Sequence, residues 1–122
     1  MKITIDGRLP GLNDLIGKSR TNKFAANNEK HQAERKVMCC AFEHRGRMFK
    51  NPVDVYLNFY EPNERRDCDN IVSGGCKVIL DALVLIGVLA DDSRSHVRQI
   101  HPMVYTDRKN PRIEIELVEV SN

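Results

Sequence analysis

The sequence has no apolar run approaching the roughly 20 residues that a membrane span needs, and Met1 to Pro10 lacks the long apolar core of a secretion signal. A cytoplasmic location and no membrane partner are expected. Cysteine is scarce. Cys39 and Cys40 are adjacent, Cys68 and Cys76 stand alone, and no C-x-x-C pair occurs. Zinc-site spacing is therefore weak, and reduced thiols in the core or at its edge are expected. No Gly-rich phosphate loop is present, and no Ser-His-Asp or Cys-His arrangement stands out. His31, His44, His96 and His101 are widely spaced and form no H-x-x-x-H pair. Repeats, low-complexity tracts and linkers are also missing, which leaves residues 1–122 as a single domain.

What is there reads as globular. The 122 residues are 41% hydrophobic and 30% charged, enough for a real but modest core. The net charge of +2 says little by itself. The basic residues are clustered, however: Lys18, Arg20 and Lys23; Arg45, Arg47 and Lys50; Arg65 and Arg66; Arg108, Lys109 and Arg112. Such clusters are ordinarily solvated surface, and they gain weight only where they flank a site that handles phosphate.

Periodicity predicts an α+β fold, a small mixed sheet with two helices packed on it. Lys2 to Asp6 alternates as a first strand. Residues 12–27 show no clear period and suggest a loop or mobile arm. Asn28 to Arg45 reads as a helix with an apolar stripe at Ala33, Val37, Cys40, Ala41 and His44, capped by Asn27 or Asn28 and ended by Gly46. Val53 to Phe59 is a strand with Val53, Val55, Leu57 and Phe59 on one face and Asp54, Tyr56 and Asn58 on the other. Cys76 to Ile86 reads as a second helix, reached through Ser73-Gly74-Gly75 and stopped near Gly87. His96 to Tyr105 is a strand in which Pro102 argues for a bulge or an edge. A turn over Asp107 to Pro111 leads to a last strand, Arg112 to Val120.

The segment that carries chemistry is Arg65-Arg66-Asp67-Cys68-Asp69-Asn70. In an extended chain, Asp67 and Asp69 would share one face, roughly 6–7 Å apart at the backbone. Carboxylates that close repel unless a cation lies between them or one keeps its proton. Asp91-Asp92 forms a second acidic pair, and magnesium prefers such oxygen ligands. Taken alone, either pair is better explained by solvated loop acids or turn caps. Lys77 and Asp81 lie between the pairs, one helical turn apart. Lys77 reads either as a solvated partner of Asp81 or as a cation beside a phosphodiester.

Arg66-Asp67-Cys68-Asp69-Asn70, then Lys77-x-x-x-Asp81-Ala82-Leu83, Gly87 and Asp91-Asp92, resembles the signature of RusA-type Holliday junction resolvases in their phage and prophage branch. Leu9-Pro10-Gly11-Leu12-Asn13 and the basic segment to Lys30 are similar to the same branch. Relative to the shortest form of the pattern, this chain has extra residues between Asn70 and Lys77, around Val72-Ser73-Gly74-Gly75.

The resemblance implies a RusA-like fold and a homodimer that binds four-way DNA junctions and makes paired symmetric nicks with Mg²⁺ or Mn²⁺. It implies catalytic acids at Asp67, Asp69 and Asp92, with Lys77 assisting; Asp91 falls in the metal set and Asp81 is a secondary acid. Arg65, Arg66, Lys18, Arg20, Lys23 and Lys30 are expected to hold the DNA backbone. Two other readings stay open: a nuclease for forks or flaps, and a junction-binding protein that no longer cuts.

Overall fold

The computed structural model describes residues 1–121, with the side chains of residues 18–21 and 26 outside the described set. The elements run β1 (Lys2–Asp6), α1 (Leu12–Thr21), α2 (Lys23–Cys40), a short 3₁₀ turn (Phe42–His44), β2 (Val53–Glu61), α3 (Cys68–Leu85), β3 (Val97–Thr106) and β4 (Arg112–Glu119). The four strands form one mixed sheet in the order β1-β4-β2-β3. β4 is antiparallel to both β1 and β2, and β2 is parallel to β3. A parallel pair needs a long crossover, and α3 supplies it.

Alternation builds the core. Ile3 and Ile5 pair with Ile115 and Ile113, while Val55, Leu57 and Phe59 pair with Leu117, Ile115 and Ile113. All of these are buried. They form one cluster with Ala33, Val37 and Ala41 of α2 and with Ile71, Val78, Ile79, Ala82 and Leu83 of α3. Each of the Val, Leu, Ile and Phe side chains contributes about 1.5–3 kcal/mol by leaving water. The helices thus occupy one face of the sheet. Among the described residues, no helix is long and apolar enough to cross a membrane.

The α+β class and the mixed sheet hold, and Pro102 lies in β3, an edge strand as expected. A third helix joins the two predicted. The segment expected to be a loop forms α1 and the start of α2. It shows little period because Leu12, Ile16 and Phe24 are exposed rather than packed. α2 begins at Lys23, with the Asn22 side chain accepting the Ala25 amide at 3.2 Å, and not at Asn27 or Asn28. It ends at Cys40, so His44 falls in the following 3₁₀ turn.

The cysteines are free, but Cys39, Cys40 and Cys68 are exposed and only Cys76 is partly covered. The largest correction concerns α3. Ser73-Gly74-Gly75 lies inside it, because the helix begins at Cys68.

Both helix glycines answer to close packing. A Cβ on Gly74 would stand 2.5 Å from the Gly11 carbonyl carbon and the Pro10 oxygen, and one on Gly75 would stand 2.6 Å from the Phe59 ring. The segment before α1 crosses α3 at Gly74, and a core strand packs against Gly75. Residues 71–76 are thus helix, continuous with the rest of α3.

Candidate active site

β2 ends at Glu61, and residues 62–66 lead to Asp67, which stands at the N-cap of α3 with φ −70° and ψ 149°. Its side chain makes no capping hydrogen bond. Asp69 lies in the first turn, where its Oδ1 accepts the Asn70 amide at 2.9 Å. The acidic pair is therefore the beginning of a helix and not an extended strand end, so the two carboxylates do not share a face by strand geometry. Both are exposed at the positive end of α3, where an acid gains about 0.3–1 kcal/mol.

The turn that presents Asp67 is clamped from beneath. The Glu61 side chain is only 4% exposed. Arg66 donates to both of its oxygens at 2.9–3.1 Å, and Arg8 donates to Oε1 at 2.9 Å. Arg66 Nη1 also donates to the Leu9 carbonyl at 3.0 Å and lies 3.8 Å from Asp14. A buried carboxylate needs such partners. The result ties the β2–α3 turn to the β1–α1 connection. A second tie runs from the Asn13 amide to Asn70 Oδ1 at 2.7 Å.

Further along α3, Lys77 and Asp81 form an ion pair at 3.2 Å. Lys30 of α2 reaches the other oxygen of Asp81 at 3.1 Å. The hydrogen bond to Asp81, that residue's charge and then the charge of Asp92 hold the Lys77 ammonium above its ordinary range. Asp92 thus stands on the Lys77 side of α3. It borders a cavity with Glu34, Asp81, Val84 and Leu85.

Asp91 is engaged locally. Its Oδ1 accepts the Asp92 amide at 2.8 Å. A hydrogen bond from Ser93, then that amide, hold its carboxyl below the usual range. Asp91 shapes the turn, and Asp92 is the freer acid of the pair.

The acids do not form a closed cage. Asp67 borders a cavity with Arg66, Cys68, Tyr105 and Thr106, different from the one beside Asp92. About two turns of helix separate Asp69 from Lys77. Among the described residues, no three His, Cys, Asp or Glu side chains cluster tightly enough to enclose a metal ion. The neighbouring acids Asp14, Glu61 and Asp81 face arginine or lysine. Asp67, Asp69 and Asp92 form no ion pair among the described residues.

The basic residues divide. Arg65 and Lys23 are exposed, and Arg65 lines a groove with Arg8, Asn63 and Arg66. Arg66 is committed to Glu61, and Lys30 to Asp81. Lys18 and Arg20 lie outside the described side chains. The histidines gather no site: His31 meets Glu34, His44 meets Glu43, His96 lies by Ser93 and Ser95, and His101 stacks on Tyr56.

Sequence reasoning missed Glu61 and Arg8. The signal was the alternation of β2: the inward positions 53, 55, 57 and 59 continue to 61, so a carboxylate there is buried and requires a cation.

The family model described as Endodeoxyribonuclease RusA matches residues 10–118. No curated protein matches the chain.

Proposed function

This chain belongs to the RusA endodeoxyribonuclease family and is an enzyme that hydrolyses DNA; from that premise we propose that it resolves four-way junctions as a homodimer, by paired symmetric nicks that require Mg²⁺ or Mn²⁺. The observation that supports the reading is the set of three carboxylates, Asp67, Asp69 and Asp92, which form no ion pair among the described residues, whereas Asp14, Glu61 and Asp81 each face an arginine or lysine. Unpaired acids beside arginine and lysine suit a hard cation and a phosphodiester.

The donor set fits magnesium, which takes oxygen ligands, often one or two carboxylates, and fills its shell with water and substrate phosphate. Asp67 and Asp69 would hold it at the start of α3, with Asp92 as the further acid of the set and Asp91 shaping the turn before it. When bound, it supplies charge neutralisation on the phosphate and a lowered pKa for an attacking water. Lys77, kept protonated by Asp81 and Asp92, steadies the negative charge that develops as the bond breaks. Asp81 and Lys30 orient Lys77. Arg65, Lys23 and the Lys18–Arg20 stretch hold the DNA backbone.

The test is a comparison of a synthetic four-way junction, a fork and a linear duplex, each with Mg²⁺ and with EDTA. Symmetric nicks in the junction alone, abolished by EDTA, are expected. Absence of cutting in every branched substrate, or equal cutting with EDTA, overturns the reading.

A further inference from the structure

One basic cluster, Arg45, Arg47 and Lys50, has no part in the site described above. All three residues are exposed, and none has a carboxylate partner among the described residues. The acids close by are engaged with other groups: Glu43 meets His44 at 3.2 Å, and Glu119 accepts the Asn51 amide at 3.3 Å.

The three cations lie on the loop between α2 and β2, and that loop is held in shape. Gly46 and Met48 donate their amides to the carbonyls of Ile86 and Gly87 at 2.9 and 3.0 Å, which ties the loop to the end of α3. Arg47 lies between those two anchors, with its guanidinium over the Phe49 ring at 4.4 Å. The Arg45 guanidinium lies over the Phe42 ring at 4.1 Å and donates to the Phe42 carbonyl at 3.1 Å. Met48 has a φ of 46°, in the left-handed region that residues with a side chain rarely enter. Strain of this kind persists only where neighbours enforce it, and it gathers at ligand-binding segments. Solvated cations need neither anchors nor rings. Cations set in place for an anion gain from both, because a contact between pre-placed groups loses less freedom on binding.

We infer that this loop is a phosphate-binding cradle for a duplex arm of the DNA substrate, with the arm lying along α3. The inference rests on the reading of branched DNA as substrate and names a surface that holds it. Arginine and lysine contacts to phosphate carry affinity and fix position without reading sequence, which suits an enzyme that selects its substrate by shape.

The place of the loop sets a spacing. α3 runs 18 residues, from Cys68 to Leu85, which is about 27 Å at about 1.5 Å per residue. Asp67 and Asp69 stand at one end, and the loop is bonded to the other. Val84 and Leu85 at that second end also wall the cavity beside Asp92. Each strand of a duplex carries a phosphate about every 3.4 Å, so an arm held beside Asp69 meets the loop about eight base pairs away.

Fluorescence anisotropy of a labelled four-way junction in EDTA, over a series of salt concentrations, tests this. Each phosphate contact adds roughly 0.9 to the slope of log affinity against log salt. Arg45→Gln, Arg47→Gln and Lys50→Gln together are expected to make that slope shallower by about two to three for each bound copy of the chain. Arg45→Lys with Arg47→Lys keeps the charges and is expected to leave the slope within about 0.5 of the native one. Native affinity is expected to fall about 10-fold or more when hairpin-closed arms are shortened from about 15 to about 6 base pairs, and the triple variant is expected to lose that dependence.

Urea unfolding of the same variants separates a second role for the cations, offsetting the negative ends of α2 and α3. A triple variant that unfolds earlier but keeps the native slope and arm dependence overturns the cradle, as does one that matches the native chain throughout; the nuclease reading stands in both cases. A native chain that does not bind the junction overturns the cradle and the junction reading together.

Discussion

Glu61 is a charge at the end of a core strand, and its two arginines decide how the turn before α3 is held. Gln at this position keeps the volume and some hydrogen bonds but leaves Arg66 and Arg8 without a counter-charge. Glu61→Gln is expected to lower stability by about 1–3 kcal/mol, measured by urea unfolding. Junction cutting is also expected to slow at temperatures where the fold is intact, because Asp67 follows Arg66 directly. A rate equal to the native one at such temperatures would mean that the clamp serves the fold alone. At this scale the sequence was readable for residue types and not for pairings. Asp67, Asp69 and Asp92 stood out as acids in a pattern, but nothing local revealed that Arg66 turns inward to Glu61 while Arg65 stays in solvent. That choice depends on where β2 ends relative to the core.

α3 is the element that carries the site, and its small residues explain its length. Glycine inside a helix ordinarily costs about 1 kcal/mol against alanine, so Gly74 and Gly75 read as a break. Tertiary contact overrides propensity here: Gly74 meets backbone and Gly75 meets the Phe59 ring. Gly74→Ala is therefore expected to destabilise by about 1–3 kcal/mol despite its better helix propensity. Gly17 of α1, whose Cβ would meet nothing within 4 Å, is the control, and Gly17→Ala is expected to stabilise by about 0.5–1 kcal/mol. Thermal melts of the two variants check the contrast, and a shift in the same direction for both would contradict it. The strands were legible because alternation is a local signal. α1 was not, because its exposed apolar residues blur the helical period, and the start of α3 was not, because two packing glycines imitate a loop.

The whole molecule is a two-layer fold with the candidate acids on the helix side and a bare sheet face on the other. The sequence supplied the class and the acids. It did not supply the parallel β2–β3 register that brings Tyr105 beside the Asp67 cavity, since long-range pairing leaves no local trace. Nor did it show that Asp67 and Asp92 border different cavities, exposed to solvent, rather than a preformed cage. On the proposed reading such a site is completed by a metal and by DNA, so carboxylate loss is expected to act on cutting and not on binding. The direct measurement is Asp69→Asn with a four-way junction. Binding in EDTA is expected to stay within about threefold of the native chain, since affinity comes from phosphate contacts. The nicking rate in Mg²⁺ is expected to fall by about 100-fold or more, whereas nicking that survives the substitution contradicts the assignment of this acid to the active site.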